Sequence, residues 1–112
     1  MNPNAVNPNA VNPIDLSAAA SVLPAPWESQ LLEQVGTAAV KVLRMDGRPL
    51  PVEVHDNPEV LLVLSGRLEL QLEEAELTVG PGELYRIPAR AAHAVRPGSE
   101  GTLLIVEVPE QE

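Results

Sequence analysis

Val60-Leu61-Leu62-Val63-Leu64-Ser65-Gly66-Arg67-Leu68-Glu69-Leu70-Gln71-Leu72-Glu73 decides the fold of this chain. Its first five residues are apolar on both faces of any extended strand, so that strand is expected to be covered on both sides. After Ser65-Gly66 the pattern changes to strict alternation, with Leu68, Leu70 and Leu72 on one face and Arg67, Glu69, Gln71 and Glu73 on the other. Nothing after Gly36 reads as a long helix.

Working outward, the same language continues. Leu31 to Val35 and Ala38 to Met45 flank Gly36-Thr37, a hairpin-sized connection, and Asp46-Gly47 marks another turn. Downstream, Glu74-Ala75 turns, Leu77 and Val79 resume the alternation, and Gly80-Pro81-Gly82 forms a tight turn. Leu84 to Ile87, Ala94 to Arg96 and Leu103 to Val108 supply the remaining strands. Short strands at regular spacing predict an all-β fold, a small antiparallel β-barrel or jelly roll.

Three segments are expected. Residues 1–13 repeat Asn-Pro-Asn-Ala-Val and read as an extended arm of turn formers. Residues 14–30 hold a short helix, capped by Asp15 or Ser17 and ended by Pro24 and Pro26, and then a strap in which Trp27 anchors the segment to the barrel. Residues 31–112 form the barrel.

Composition narrows the function. The chain of 112 residues has a formal charge of −9, with six Arg and one Lys scattered without a run. Nucleic acid and anionic membrane need clustered cations, so neither is expected as a partner. No stretch is long or apolar enough to span a bilayer as a helix, and no signal peptide is evident, so a cytoplasmic location is expected. Without cysteine, thiolate metal sites, disulfides and Cys nucleophiles are excluded. The absence of Phe, with a single Trp and a single Tyr, argues against a base- or sugar-stacking platform and predicts a cavity with aliphatic walls.

The chemistry-bearing residues lie in two clusters, Glu53-x-His55-x3-Glu59-x6-Gly66 and Gly82-x5-Pro88-x4-His93. Glu53 and His55 are two apart in an extended stretch and so share a side. Glu59 opens the doubly apolar strand, where an inward carboxylate must be paired, protonated or metal-bound. Closing the sheet brings Glu53, His55, Glu59 and His93 within reach of one another. Imidazole and carboxylate donors suit Fe, Mn, Ni, Cu or Zn and leave coordination positions open. The alternative is two hydrogen-bonded histidines in a metal-free pocket, with Glu59 satisfied by an arginine. Arg90, before His93, and Tyr85, if it points inward, are candidate substrate contacts. The serines lack a nucleophile-elbow context, and no helix follows Gly80-Pro81-Gly82 to make a phosphate loop.

This spacing resembles the cupins. The family's first motif, Gly-x5-His-x-His-x3-4-Glu-x6-Gly, is matched at Gly47, His55, Glu59 and Gly66, and the second, Gly-x5-Pro-x-Gly-x2-His-x3-Asn, at Gly82, Pro88 and His93. Glu53 stands where the first ligand histidine belongs, Arg90 replaces the second motif's internal glycine, and Pro97 replaces its asparagine. The resemblance covers roughly residues 50 to 107 and implies a divalent-metal site acting on or binding a small polar molecule. Oxygenase, isomerase and decarboxylase chemistry are all within the family's range. A small-ligand-binding or structural homodimer without turnover is the other expectation. No DNA-binding unit is read in the sequence, so a transcription-factor role is not expected. The small core and the doubly apolar strand predict a homodimer.

Overall fold

In the computed structural model, residues 12–110 are described, so the expected arm over 1–13 lies almost wholly outside them. A short helix, α1 (Leu16–Ser21), precedes eight strands: β1 (Gln30–Val35), β2 (Ala38–Asp46), β3 (Leu50–Glu53), β4 (Glu59–Leu72), β5 (Glu76–Val79), β6 (Leu84–Ile87), β7 (His93–Val95) and β8 (Glu100–Glu107). All pairings are antiparallel, giving the expected all-β jelly roll with its short N-terminal helix. Asp15 is the helix cap, its carboxylate accepting from the Ala18 N–H.

Two sheets share one strand. β1, β2, β8, the first half of β4 and β6 make one sheet; β3, β7, the second half of β4 and β5 make the other. Ser65-Gly66, where the sequence pattern changes, is a bend inside the single 14-residue β4. At the bend the register with β8 slips and Gly66 faces Gly101. Both glycines have positive φ, 78° and 103°. A Cβ on Gly66 would overlap the Glu100 carbonyl oxygen, and one on Gly101 would overlap the Ser65 carbonyl oxygen. Two backbones pass too closely there for any side chain, and β4 turns from one sheet into the other.

The alternation read from sequence then packs the interior. Leu68, Leu70, Leu61, Val63, Leu43 and Leu103 are buried between the sheets, with Trp27 against them. Removing water from such leucine and valine side chains contributes about 1.5–3 kcal/mol each. On the outer face of the larger sheet, α1 covers a second patch, packing Ala20 on Leu32 and Val42. The outward side of β4, at Val60, Leu62 and Leu64, is only half-buried within one copy of the chain.

Candidate functional site

The site forms where the end row of one sheet faces the end row of the other. On the larger sheet, Glu59 pairs in register with Glu107 of β8, two residues beyond the inward-facing Ile105 and Leu61. On the smaller sheet, Glu53 and Leu72 both pair with His93. Between Leu50 and Glu53, β3 carries one residue more than β7 does between its partners, so a bulge puts Glu53 on the same face as Leu50. Simple alternation from Leu50 would point Glu53 outward. His55 lies just past the end of β3, in the loop leading into β4.

Glu53, His55 and His93 each offer a ligand atom within 4.8 Å of the others, a group able to hold a metal ion. The His55 and His93 rings sit with centroids 5.4 Å apart. His93 is buried, and its Nδ1 lies 3.0 Å from the Ala91 carbonyl oxygen. A carbonyl only accepts, so Nδ1 carries a proton and Nε2 is turned to the site. That Nε2 lies 3.3 Å from Glu59 Oε1. On the other side, His55 Nε2 is 3.1 Å from Glu53 Oε2, and its Nδ1 is 3.5 Å from Glu110 Oε1. Glu59 is therefore next to the three-residue group through His93 rather than a member of it.

Electrostatics separate the members. The hydrogen bond to Glu59 raises the His93 pKa above its ordinary 6.5, against the opposing effect of burial. Burial alone would raise Glu59, but hydrogen bonding and charge from His93, the nearby His55 and a hydrogen bond with Glu107 together leave it below its ordinary 4.5. Without a metal, the contact thus favours the imidazolium form of His93 and the carboxylate form of Glu59. Among the described residues, no buried side-chain nitrogen or oxygen lacks a hydrogen-bond partner.

These groups close one end of a cavity of about 240 Å³ between the sheets. Leu43, Leu61, Leu68, Leu70 and Leu103 give it the aliphatic wall expected from composition, and Trp27 adds an aromatic edge. Trp27 has φ 66°, held by its N–H to the Arg44 carbonyl (2.8 Å) and by its indole N–H to Asp46 (2.7 Å).

The two candidate substrate contacts lie elsewhere. Arg90 has a side chain 78% exposed and reaches toward Asp56 at 3.9 Å, outside the cavity lining. Its φ of 64° accounts for the family's glycine at this position: the chain must turn left-handed there so that the Arg90 N–H reaches the His55 carbonyl at 2.7 Å. Tyr85 is half-buried against the core but does not line the cavity, and its neighbour Arg86 faces out. Conversely, sequence reasoning passed over Glu107. The alternation Leu103, Ile105, Glu107 on the last strand carried the signal, since the first two line the cavity and the third shares their face.

The described residues include no helix long and apolar enough to cross a membrane. Among solved structures, a cupin-2 domain protein from Shewanella frigidimarina superposes with a TM-score of 0.78 at 23% identity, covering 86% of this chain and 94% of its own. A conserved protein of unknown function from Streptococcus pyogenes reaches 0.74 at 20% identity, covering 92% of this chain and 91% of its own. At these identities the likeness establishes the fold alone. The probable transcriptional regulator LumQ of Photobacterium leiognathi is 33% identical over 55 residues, or 49% of this chain, and the match spans only 22% of that regulator's length. The cupin domain family model matches residues 42–109, from the middle of β2 to just beyond β8, taking in both histidine clusters, and the chain belongs to that family.

Proposed function

We propose that this chain is a small-molecule-binding cupin that holds a divalent transition metal on Glu53, His55 and His93, with Glu59 orienting His93. The observation that carries the reading is the convergence of these three donors at the polar end of a leucine-walled cavity. The donor set fits the group: two imidazoles, one with its distal nitrogen already committed to a carbonyl, and a carboxylate at the mouth. A metal bound there would supply a Lewis acid with positions left open for a substrate oxygen. The protein's share is to aim His93 Nε2, to hold Glu59 as a proton acceptor beside it, and to keep the aliphatic part of a ligand away from water.

Metal analysis after purification and reconstitution tests this. One equivalent of a transition metal is expected, with loss of most of it in His55→Ala and His93→Ala. Protein that stays metal-free after reconstitution would remove the metal from the reading.

A second reading is a metal-free binding module, favoured by the Glu59–His93 contact of 3.3 Å, which satisfies both groups without an ion. We also infer a homodimer, supported by the half-buried outer row of β4 and the 62% exposed Leu84 beside it in register with Leu62. A monomer mass in solution at micromolar concentration would refute it.

A further inference from the structure

Charge is distributed unevenly around the cavity. Three carboxylates line it, Glu53, Glu59 and Glu107, and no Lys or Arg does. Most of the cations are already engaged. Lys41 shares the inner face of β2 with Leu43, and its Nζ is held 2.9 Å from Glu107. Arg44 donates to the Ala20 carbonyl at the end of α1, Arg48 pairs with Asp46, and Arg67 and Arg96 pair with Glu69. If Glu53 is taken up with His55 and His93, Glu59 and Glu107 remain as a carboxylate pair facing the remaining space.

We propose that the cavity takes a small aliphatic molecule whose polar head donates hydrogen bonds and carries no negative charge, a primary ammonium above all, with its chain against the leucines and its head at Glu59 and Glu107. This rests on the ligand-binding reading above and gives it a substrate class. Carboxylates and phosphates are recognised by Arg forks, Lys or helix N-termini; the lining holds no Arg or Lys, and the adjacent ammonium of Lys41 is already taken up by Glu107. An anionic head would meet two carboxylates in a partly desolvated space, where like charges repel strongly. An ammonium carries three donors and no acceptor, and a carboxylate has about four lone-pair sites, so Glu59 and Glu107 can accept from it while keeping His93 and Lys41. Size agrees: 240 Å³ is below the usual range for drug-sized ligands, about 300–1,000 Å³, and suits a short chain.

Four probes on one four-carbon body test the inference: n-butylamine, n-butanol, n-butyrate and n-butyl phosphate. Each is titrated at pH 7.5 and matched ionic strength into the full chain, metal-free and metal-loaded, and the shift in unfolding midpoint is read. In the metal-free protein the amine is expected to match the midpoint shift of butyrate at a tenfold lower concentration, with butanol between them. Glu107→Gln is expected to narrow that gap to under threefold. Lys41→Met, which releases Glu107, is expected to widen it and serves if the first variant folds poorly. Butyrate or butyl phosphate stabilising as well as the amine overturns the proposal and leaves the metal reading untouched. No shift from any probe overturns it together with the ligand-binding reading. An amine preference in protein that cannot be loaded with metal supports the proposal and removes only the metal.

Discussion

The two histidines of the site are held in opposite ways. His93 begins a strand, is 6% exposed, and is pinned by a backbone carbonyl on one nitrogen and by Glu59 on the other. His55 sits in a loop with its side chain one-third exposed, and its two ring nitrogens face half-exposed carboxylates, Glu53 and Glu110. The strand side derives its geometry from the shared core, so disturbing it costs stability. The loop side is set by local turns and surface contacts, so it can be altered with little effect on the fold.

The largest effects are expected on the strand side. Gly101→Ala must put a Cβ into the Ser65 carbonyl and hold a left-handed φ, so a loss on the order of 3–5 kcal/mol is expected in denaturant unfolding. Gly47→Ala supplies the contrast: its φ is also positive but its Cβ meets open space, so about 1–2 kcal/mol is expected. Equal losses would mean that close approach at the β4 bend contributes nothing beyond backbone strain.

Next come the histidines themselves. His93→Ala leaves a hole and strips Glu59 of its main partner, for an expected loss of about 2–3 kcal/mol. His55→Ala is expected to change stability by about 0.5 kcal/mol or less, because its contacts are solvent-exposed. If the proposed metal binds, both variants lose it, so stability and metal content separate the two roles. Comparable destabilisation by the two variants would break the contrast between strand and loop.

Acidity sharpens the same contrast. The depressed Glu59 contributes stability above its ordinary 4.5 that is lost as pH falls through its lower folded value. The raised His93 contributes stability below its ordinary 6.5 that is lost as pH rises through its higher folded value. The metal-free protein is therefore expected to gain most from this pair between pH 4.5 and 6.5, with the alkaline decline absent in His93→Ala. Metal affinity should run the other way and rise as His93 loses its proton, a comparison made by repeating the unfolding series with metal.

The smallest effects belong to the loop. Arg90→Gly relieves a left-handed residue whose side chain reaches only Asp56, at 3.9 Å, and is expected to stabilise the protein by about 1 kcal/mol. A loss of stability in thermal unfolding would mean that the Arg90 side chain contributes more than its backbone strain costs. Glu110→Ala, which removes the acceptor facing His55 Nδ1 and the partner of the Asp56 N–H, should barely change stability. Any effect is expected in metal affinity, where outer partners of ligating histidines are worth about 10–100-fold.

Much of this was legible in the chain, for identifiable reasons. Alternation is a local property, so Leu68 and Leu70 could be assigned to the core without knowing their partners. Motif spacing likewise singled out His55, Glu59 and His93. Ser65-Gly66 marked a change of pattern without giving its cause, because a glycine at a turn and a glycine where two backbones cross leave the same local mark; only Gly101, far along the chain, tells them apart. Arg90 and Tyr85 were drawn toward the site by nearness in sequence to His93 and to the barrel strands, and nearness in sequence does not fix which way a side chain points.

What the amino-acid order determined by itself is periodicity: which residues face in, where the chain turns, and hence an antiparallel sandwich of aliphatic side chains. Tertiary structure alone decided that Glu107 meets Glu59, that a bulge swings Glu53 toward His93, and that Lys41 reaches Glu107. Each of those depends on register between strands distant in sequence. Register is set by the packing of the whole sheet rather than by any one segment.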